Sequence, residues 1–245
     1  MRRLLWLAAA LVFWLAVWHV AALFIGREII LPTPFAVFRR LAELVRTAPL
    51  WKATALSLLR ILGGFVIGLI AGAMLGAGMY FARPVRIVFS PFLTVVKSTP
   101  VASFILVAYF IISDNVIPVF ITFLMVLPMI ASTVFTSLSS TDKALLEMTS
   151  VYKFSFSQKL KNLYIPTVLP HFLGQALTAL GLGWKAGIAA EVLCTPRDSI
   201  GKYLYSAKTY LETVDTFAYT LLIILISLCL EKMLKKLLSS IGGAA

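Results

Sequence analysis

Long, predominantly apolar runs constrain this chain more than any other feature. They occupy residues 4–25, 56–81, 116–138, 168–193 and 217–238. A helix needs about 20 apolar residues to cross a hydrocarbon core of roughly 30 Å, and each run is long enough to span. Continuous runs, unlike period-two alternation, argue for helices over an outer-membrane barrel. Composition agrees: 60% hydrophobic residues, 13% charged and a mean hydropathy of +0.96 are too apolar for a soluble domain. The expected fold is an all-α integral membrane protein.

The first run follows Arg2 and Arg3, as a signal peptide would, but it is long and no small-residue cleavage site follows, so residues 1–25 are expected to form a true span. A link over 26–55 opens with Leu31-Pro32-Thr33-Pro34 and continues as a surface-lying amphipathic helix through Phe35, Val37, Phe38, Leu41, Leu44 and Val45. Residues 56–238 then form the transmembrane core, with a tail over 239–245. Its first helix carries Gly64, Gly68, Gly72 and Gly76 at a strict spacing of four, a face without side chains that lets a neighbouring backbone approach. Arg83-Pro84-Val85-Arg86 reads as a short basic turn. Pro91 and Pro100, flanking Lys97-Ser98-Thr99, predict a broken helix that completes its span over about 101–112. The total is six spans.

A net charge of +12 raises the question of nucleic acid, but in so apolar a chain it fits basic loops at an anionic membrane face. Six spans put both termini on one side. That side carries eleven of the Lys and Arg residues and the other eight, with Arg60, Lys97 and Lys185 left out as intramembrane, so the termini are placed in the cytoplasm of a plasma-membrane protein. Cys194 and Cys229 have no disulfide-framework or metal spacing and read as small apolar fillers.

The polar interruption over 147–166 lies on the same side. It offers an apolar surface through Leu145, Leu146, Met148, Thr149, Val151, Tyr152 and Phe154, and a basic one through Lys159 and Lys161. A loop helix resting on the membrane and a docking helix for a cytoplasmic partner both fit. Glu147, with Leu163-Tyr164-Ile165-Pro166 ending nineteen residues later, resembles the EAA signature of ABC importer permeases. Met148 and Thr149 stand where alanines are usual, and Lys153 where glycine is usual. Together with Leu31-Pro32-Thr33-Pro34, the glycine-rich helix, Lys97-Ser98-Thr99-Pro100, Trp184 and Ala189-Ala190-Glu191, the chain is similar to permeases of the nitrate, sulfonate and taurine type.

The resemblance implies a type I importer permease fold in which two permease copies form the path. Two cytoplasmic ATP-binding subunits carry ATP and Mg, and an extracytoplasmic binding protein delivers a small solute such as a sulfonate, nitrate or vitamin precursor. It also implies a coupling helix over about 142–162, with Tyr152 and Phe154 as apolar anchors and Pro166 ending the helix. No GxxxxGK[ST] occurs, so this chain is expected to hydrolyse no ATP by that route and to bind no cofactor or metal.

Intramembrane polar residues are candidates for the path. His171, Gly174, Thr178, Gly181 and Lys185 share roughly an 80° arc of one helix. Lys185, about 8 Å outward of that helix's midpoint, either meets an anionic substrate or is paired or snorkelling. Trp184 joins the path candidates through the resemblance. Glu191, about 120° round from Lys185, reads as a cap or loop contact near the outer interface, and Lys97 borders the broken helix. The rival is a stand-alone secondary transporter or channel, which calls for inverted repeats or a buried acidic pair.

Overall fold

The computed structural model describes residues 2–242, all helix and connecting turns with no strand among them. The helices are α1 (Arg2–Ile25), α2 (Pro34–Leu44), α3 (Ala48–Phe81), α4 (Arg83–Ser98), α5 (Val101–Tyr109), α6 (Ile117–Ser139), α7 (Lys143–Val151), α8 (Phe156–Lys159), α9 (Ile165–Cys194), α10 (Ile200–Thr209) and α11 (Thr213–Gly242). A π turn, Leu160–Tyr164, joins α8 to α9. Residues 243–245 of the expected tail lie outside the described residues.

Five helices are long and apolar enough to cross a membrane. The sixth crossing is the bent pair α4 and α5, which turns by 102° at the Thr99-Pro100 break. Packing supports counting this pair as a crossing. A Cβ added to Gly64 would strike the Val119 carbonyl, one at Gly68 would sit 2.8 Å from Val126 Cβ, one at Gly72 2.8 Å from Ile130 Cβ, and one at Gly76 2.9 Å from Val134 Cβ. Residue numbers rise together along both helices, so α3 and α6 run parallel, and parallel spans require a return crossing between them. The glycine face is thus the seam between α3 and α6, closed by direct backbone approach.

Helix α9 runs antiparallel to both, with Gly183 against Thr122 and Val126 and Gly187 against Ile61 and Thr122. Around this triplet, α11 packs on α9, while α1 and α2 lie at the periphery. Helix α2 starts at Thr33, whose side chain accepts from Ala36 N, with Pro34 at the first turn. Its buried Val37, Leu41 and Leu44 meet Tyr219 and Leu222 of α11, and Arg40 clamps Asp215 by two bonds of 2.6 and 2.9 Å. These bonds raise the Arg40 guanidinium even further out of titration range.

Several boundaries differ from the sequence reading. Helix α3 begins at Ala48 rather than residue 56 because Pro49 occupies its first turn. The basic stretch Arg83-Pro84-Val85-Arg86 is the first turn of α4, again with proline where its missing N–H costs nothing. Helix α5 stops at Tyr109, short of 112.

Candidate functional site

The interruption between α6 and α9 is two helices joined by a turn rather than one helix over 142–162. Asp142 caps α7 by accepting from Ala144 N at 2.9 Å. At its other end Phe154 N donates to Thr149 O at 2.9 Å and Lys153 N to Ser150 O at 3.1 Å, while Lys153 has φ +51°. This is a Schellman close with Lys153 at the left-handed position, which explains why glycine suits that place: the demand is on φ, not on close backbone approach. A capping box between Ser155 and Gln158 then starts α8.

Pro166 does not end a helix. The chain from Phe156 to Cys194 is one continuous helical span, and Pro166 follows the π turn in which Ile165 N reaches back to Leu160 O. Widening that turn accommodates a residue that lacks an N–H and crowds the preceding turn. Leu163 and Tyr164 are buried, with Tyr164 against Tyr80 and Phe81 of α3, whereas Ile165 and Pro166 are exposed. On α7, Thr149 is buried and Leu146 packs with Tyr164 and Leu138, but Glu147, Met148, Val151, Tyr152 and Lys153 face outward. Phe154 is half-buried.

Two path candidates turn out to be internal. Trp184 is 1% exposed, packed with Ile61 and Ile188, and its indole N–H has no partner among the described residues. Glu191 is fully buried, accepting from Ser57 Oγ at 2.6 Å, Gly201 N at 3.3 Å and Arg60 Nη1 at 3.3 Å. Ser57 Oγ accepts in turn from Ile200 N. Arg60 also donates to Arg197 O at 2.8 Å and Asn115 Oδ1 at 3.2 Å. This knot ties α3, α9, α10 and the turn before α6 at the face opposite α7. Nearby, the Lys52 ammonium, 2.7 Å away, holds the exposed Asp198 carboxyl below its usual range.

The remaining candidates fall into separate cavities. Thr178, Gly181 and Lys185 line one of about 610 Å³ between α9 and α11, with Glu231, Lys232 and Lys235 opposite. His171 borders a groove of about 290 Å³ with Ser132, Thr136 and Ser137 of α6 and with Ser140, the residue just beyond that helix. Lys97 lies in an adjoining pocket of about 220 Å³ that shares Ser132 and Thr136 and adds Arg86. The stripe expected along α9 is therefore divided between two neighbours, α11 and α6. No group of three metal-type ligands occurs among the described residues.

Residues 64–238 match the family model described as binding-protein-dependent transport system inner membrane component. The chain belongs to this family. The permease is 26% identical over 238 residues to the taurine transport system permease protein TauC of Escherichia coli (strain K12), covering 94% of this chain and 85% of that one. It is 24% identical over 209 residues to SsuC of Bacillus subtilis (strain 168), a protein named for aliphatic sulfonates transport, covering 83% and 74%. A crystal structure of a bacterial ABC transporter involved in import of the acidic polysaccharide alginate superposes with a TM-score of 0.63 at 16% identity, covering 96% of each chain. The permease therefore has the type I importer fold and is the membrane subunit of an ABC importer, with ATP hydrolysis in a separate subunit.

Sequence reasoning missed three features of the permease. Ser57 and Arg60 sit one turn apart on α3, a spacing that marks a shared face. Glu231 is a carboxylate within a span, the kind of residue that draws notice by its cost. Arg83, Arg86, Ser90, Thr94 and Lys97 share an arc of about 80° on α4, hidden when the first two are read as a turn.

Proposed function

We propose that two copies of this chain form the path of an ATP-driven importer for a small anion, such as a sulfonate, a nitrate or an anionic vitamin precursor, and that α7 is the helix on which the ATPase acts. One observation carries the coupling role: Thr149 of α7 is buried and Leu146 packs against the core, while Leu145 and Met148 are partly exposed and Val151 and Tyr152 largely so. An amphipathic helix fixed on one side and apolar on the other suits a groove in a partner, and packing transmits that partner's motion. On this reading the α7 face and both termini are cytoplasmic, the binding protein docks at the face carrying α2 and α10, and ATP and Mg stay on the ATPase. The anion reading draws on the taurine and sulfonate names of the relatives.

The test is reconstitution with a cognate ATPase and binding protein. Val151→Asp or Tyr152→Ala is expected to lower ATPase association and ATP-dependent uptake of a sulfonate at least about tenfold, the loss of roughly 1.4 kcal/mol of contact. Unchanged assembly and uptake would remove α7 from the coupling role. Flux without ATP, driven by an ion gradient, would select a secondary transporter instead.

A further inference from the structure

We infer that Arg86 and Lys97, on the polar face of α4 against Ser132 and Thr136 of α6, form an oxyanion-binding site at the α7 end of the protein. The pocket between these helices, about 220 Å³, is lined by Arg86, Ser90, Thr94 and Lys97 from one side and Ser132 and Thr136 from the other, and by no carboxylate. It lies near the α7 face, since Met79 and Phe135, close to the ends of α3 and α6, complete it. Neither cation is in an ion pair among the described residues.

Each cation is held with part of its bonding capacity free. The Arg86 guanidinium lies over the Phe135 ring at 4.7 Å, a stacking that leaves its N–H edge available. Lys97 Nζ donates to Ser132 Oγ at 2.5 Å, and that hydroxyl donates onward to Pro128 O at 2.7 Å. The ammonium therefore retains two further protons for an acceptor. Leu93, which also lines this pocket, is buried against Met79 of α3 and Leu127 and Ala131 of α6, so the flank of the cationic face is packed onto these two helices.

Two like charges that line one pocket repel. A bound anion relieves the repulsion. A planar guanidinium beside an ammonium suits a group with several oxygens, a sulfonate, sulfate or phosphate, better than a halide. The cavity beside Lys185 differs because Glu231 already supplies a negative charge there. The site rests on the proposed anion import only for the source of its ligand, which is either the transported anion on its way out or the phosphate of an anionic lipid.

The test uses the full chain in nanodiscs of phosphatidylcholine, with the unfolding midpoint followed as sodium methanesulfonate replaces sodium chloride at constant ionic strength. At about ten times its Kd the sulfonate is expected to raise the midpoint by roughly 3 °C. Lys97→Gln and Arg86→Gln each abolish the rise, and Lys97→Arg keeps it. A second arm adds phosphatidylglycerol to the nanodiscs. A rise caused by that lipid, which blunts the sulfonate response and vanishes in Lys97→Gln, keeps the site and assigns it to lipid phosphate. In a Cys229→Ser background, methanesulfonate or phosphatidylglycerol is also expected to slow thiol labelling of Thr94→Cys at least threefold, a readout that needs neither Gln variant to fold. No midpoint rise in either arm, a rise that survives both Gln variants, or unprotected labelling overturns the site. None of these measurements uses ATP or a binding protein, so failed uptake with intact binding would sink only the import reading.

Discussion

The two charged centres of the permease are built on opposite principles. At one end Glu191 is sealed from solvent with Arg60, Ser57 and the Gly201 amide around it, and every charge has its partner. At the other, Arg86 and Lys97 share an open pocket with hydroxyls and, among the described residues, no counter-ion. A closed set of charges joins helices, whereas an open set has capacity left for something that arrives. Charge inside a membrane protein is therefore not one category, and the partner list separates fastening from handling.

Substitutions test that contrast directly. The largest effect is expected from Arg60→Met, which leaves the Glu191 carboxylate buried without a cation and should cost about 3–5 kcal/mol, seen as a lower unfolding midpoint in detergent. The double variant Arg60→Met with Glu191→Gln should recover much of it. A midpoint like wild type in the single variant would dissolve the distinction. Gly72→Ala supplies a yardstick of pure packing: its Cβ would lie 2.9 Å from Leu127 O and 2.8 Å from Ile130 Cβ, for an expected loss of about 1–3 kcal/mol.

Lys153→Gly should raise stability by about 1 kcal/mol, because only glycine adopts the left-handed close of α7 without a steric cost. In the absence of added oxyanion, Lys97→Gln should shift stability by no more than about 1 kcal/mol, since losing a repelled cation offsets losing its bond to Ser132. A loss as large as that of Arg60→Met would mean that the open pocket is a fastening as well. Asp198→Asn should change least. Its carboxyl is held low by Lys52, so the favourable contribution is present above the ordinary aspartate value near pH 4 and fades as pH falls through the lowered one. Wild type and variant midpoints should converge once the pH has fallen below that lowered value.

What could be read in advance followed the range of the interaction. The spans, the glycine face and the break at Thr99-Pro100 announce themselves within a few residues, through run length, a period of four and proline. The partner of Glu191 could not be found that way, because Ser57 lies 134 positions earlier and only the packing of α3 on α9 brings them together. Pro166 misled for a related reason: proline forbids an ordinary turn, yet one widened turn lets α8 continue into α9. Lys153 stands out in the motif, but its φ, which accounts for the glycine preference, is visible only in the backbone.

The glycine seam has a mechanical consequence. With teeth every four residues, about 6 Å apart along the axis, α3 and α6 engage like a rack. A slip of less than one tooth would drive side chains of one helix into the backbone of the other, so axial sliding is locked. A force that reaches either helix is then expected to move α3 and α6 together as one stiff pair.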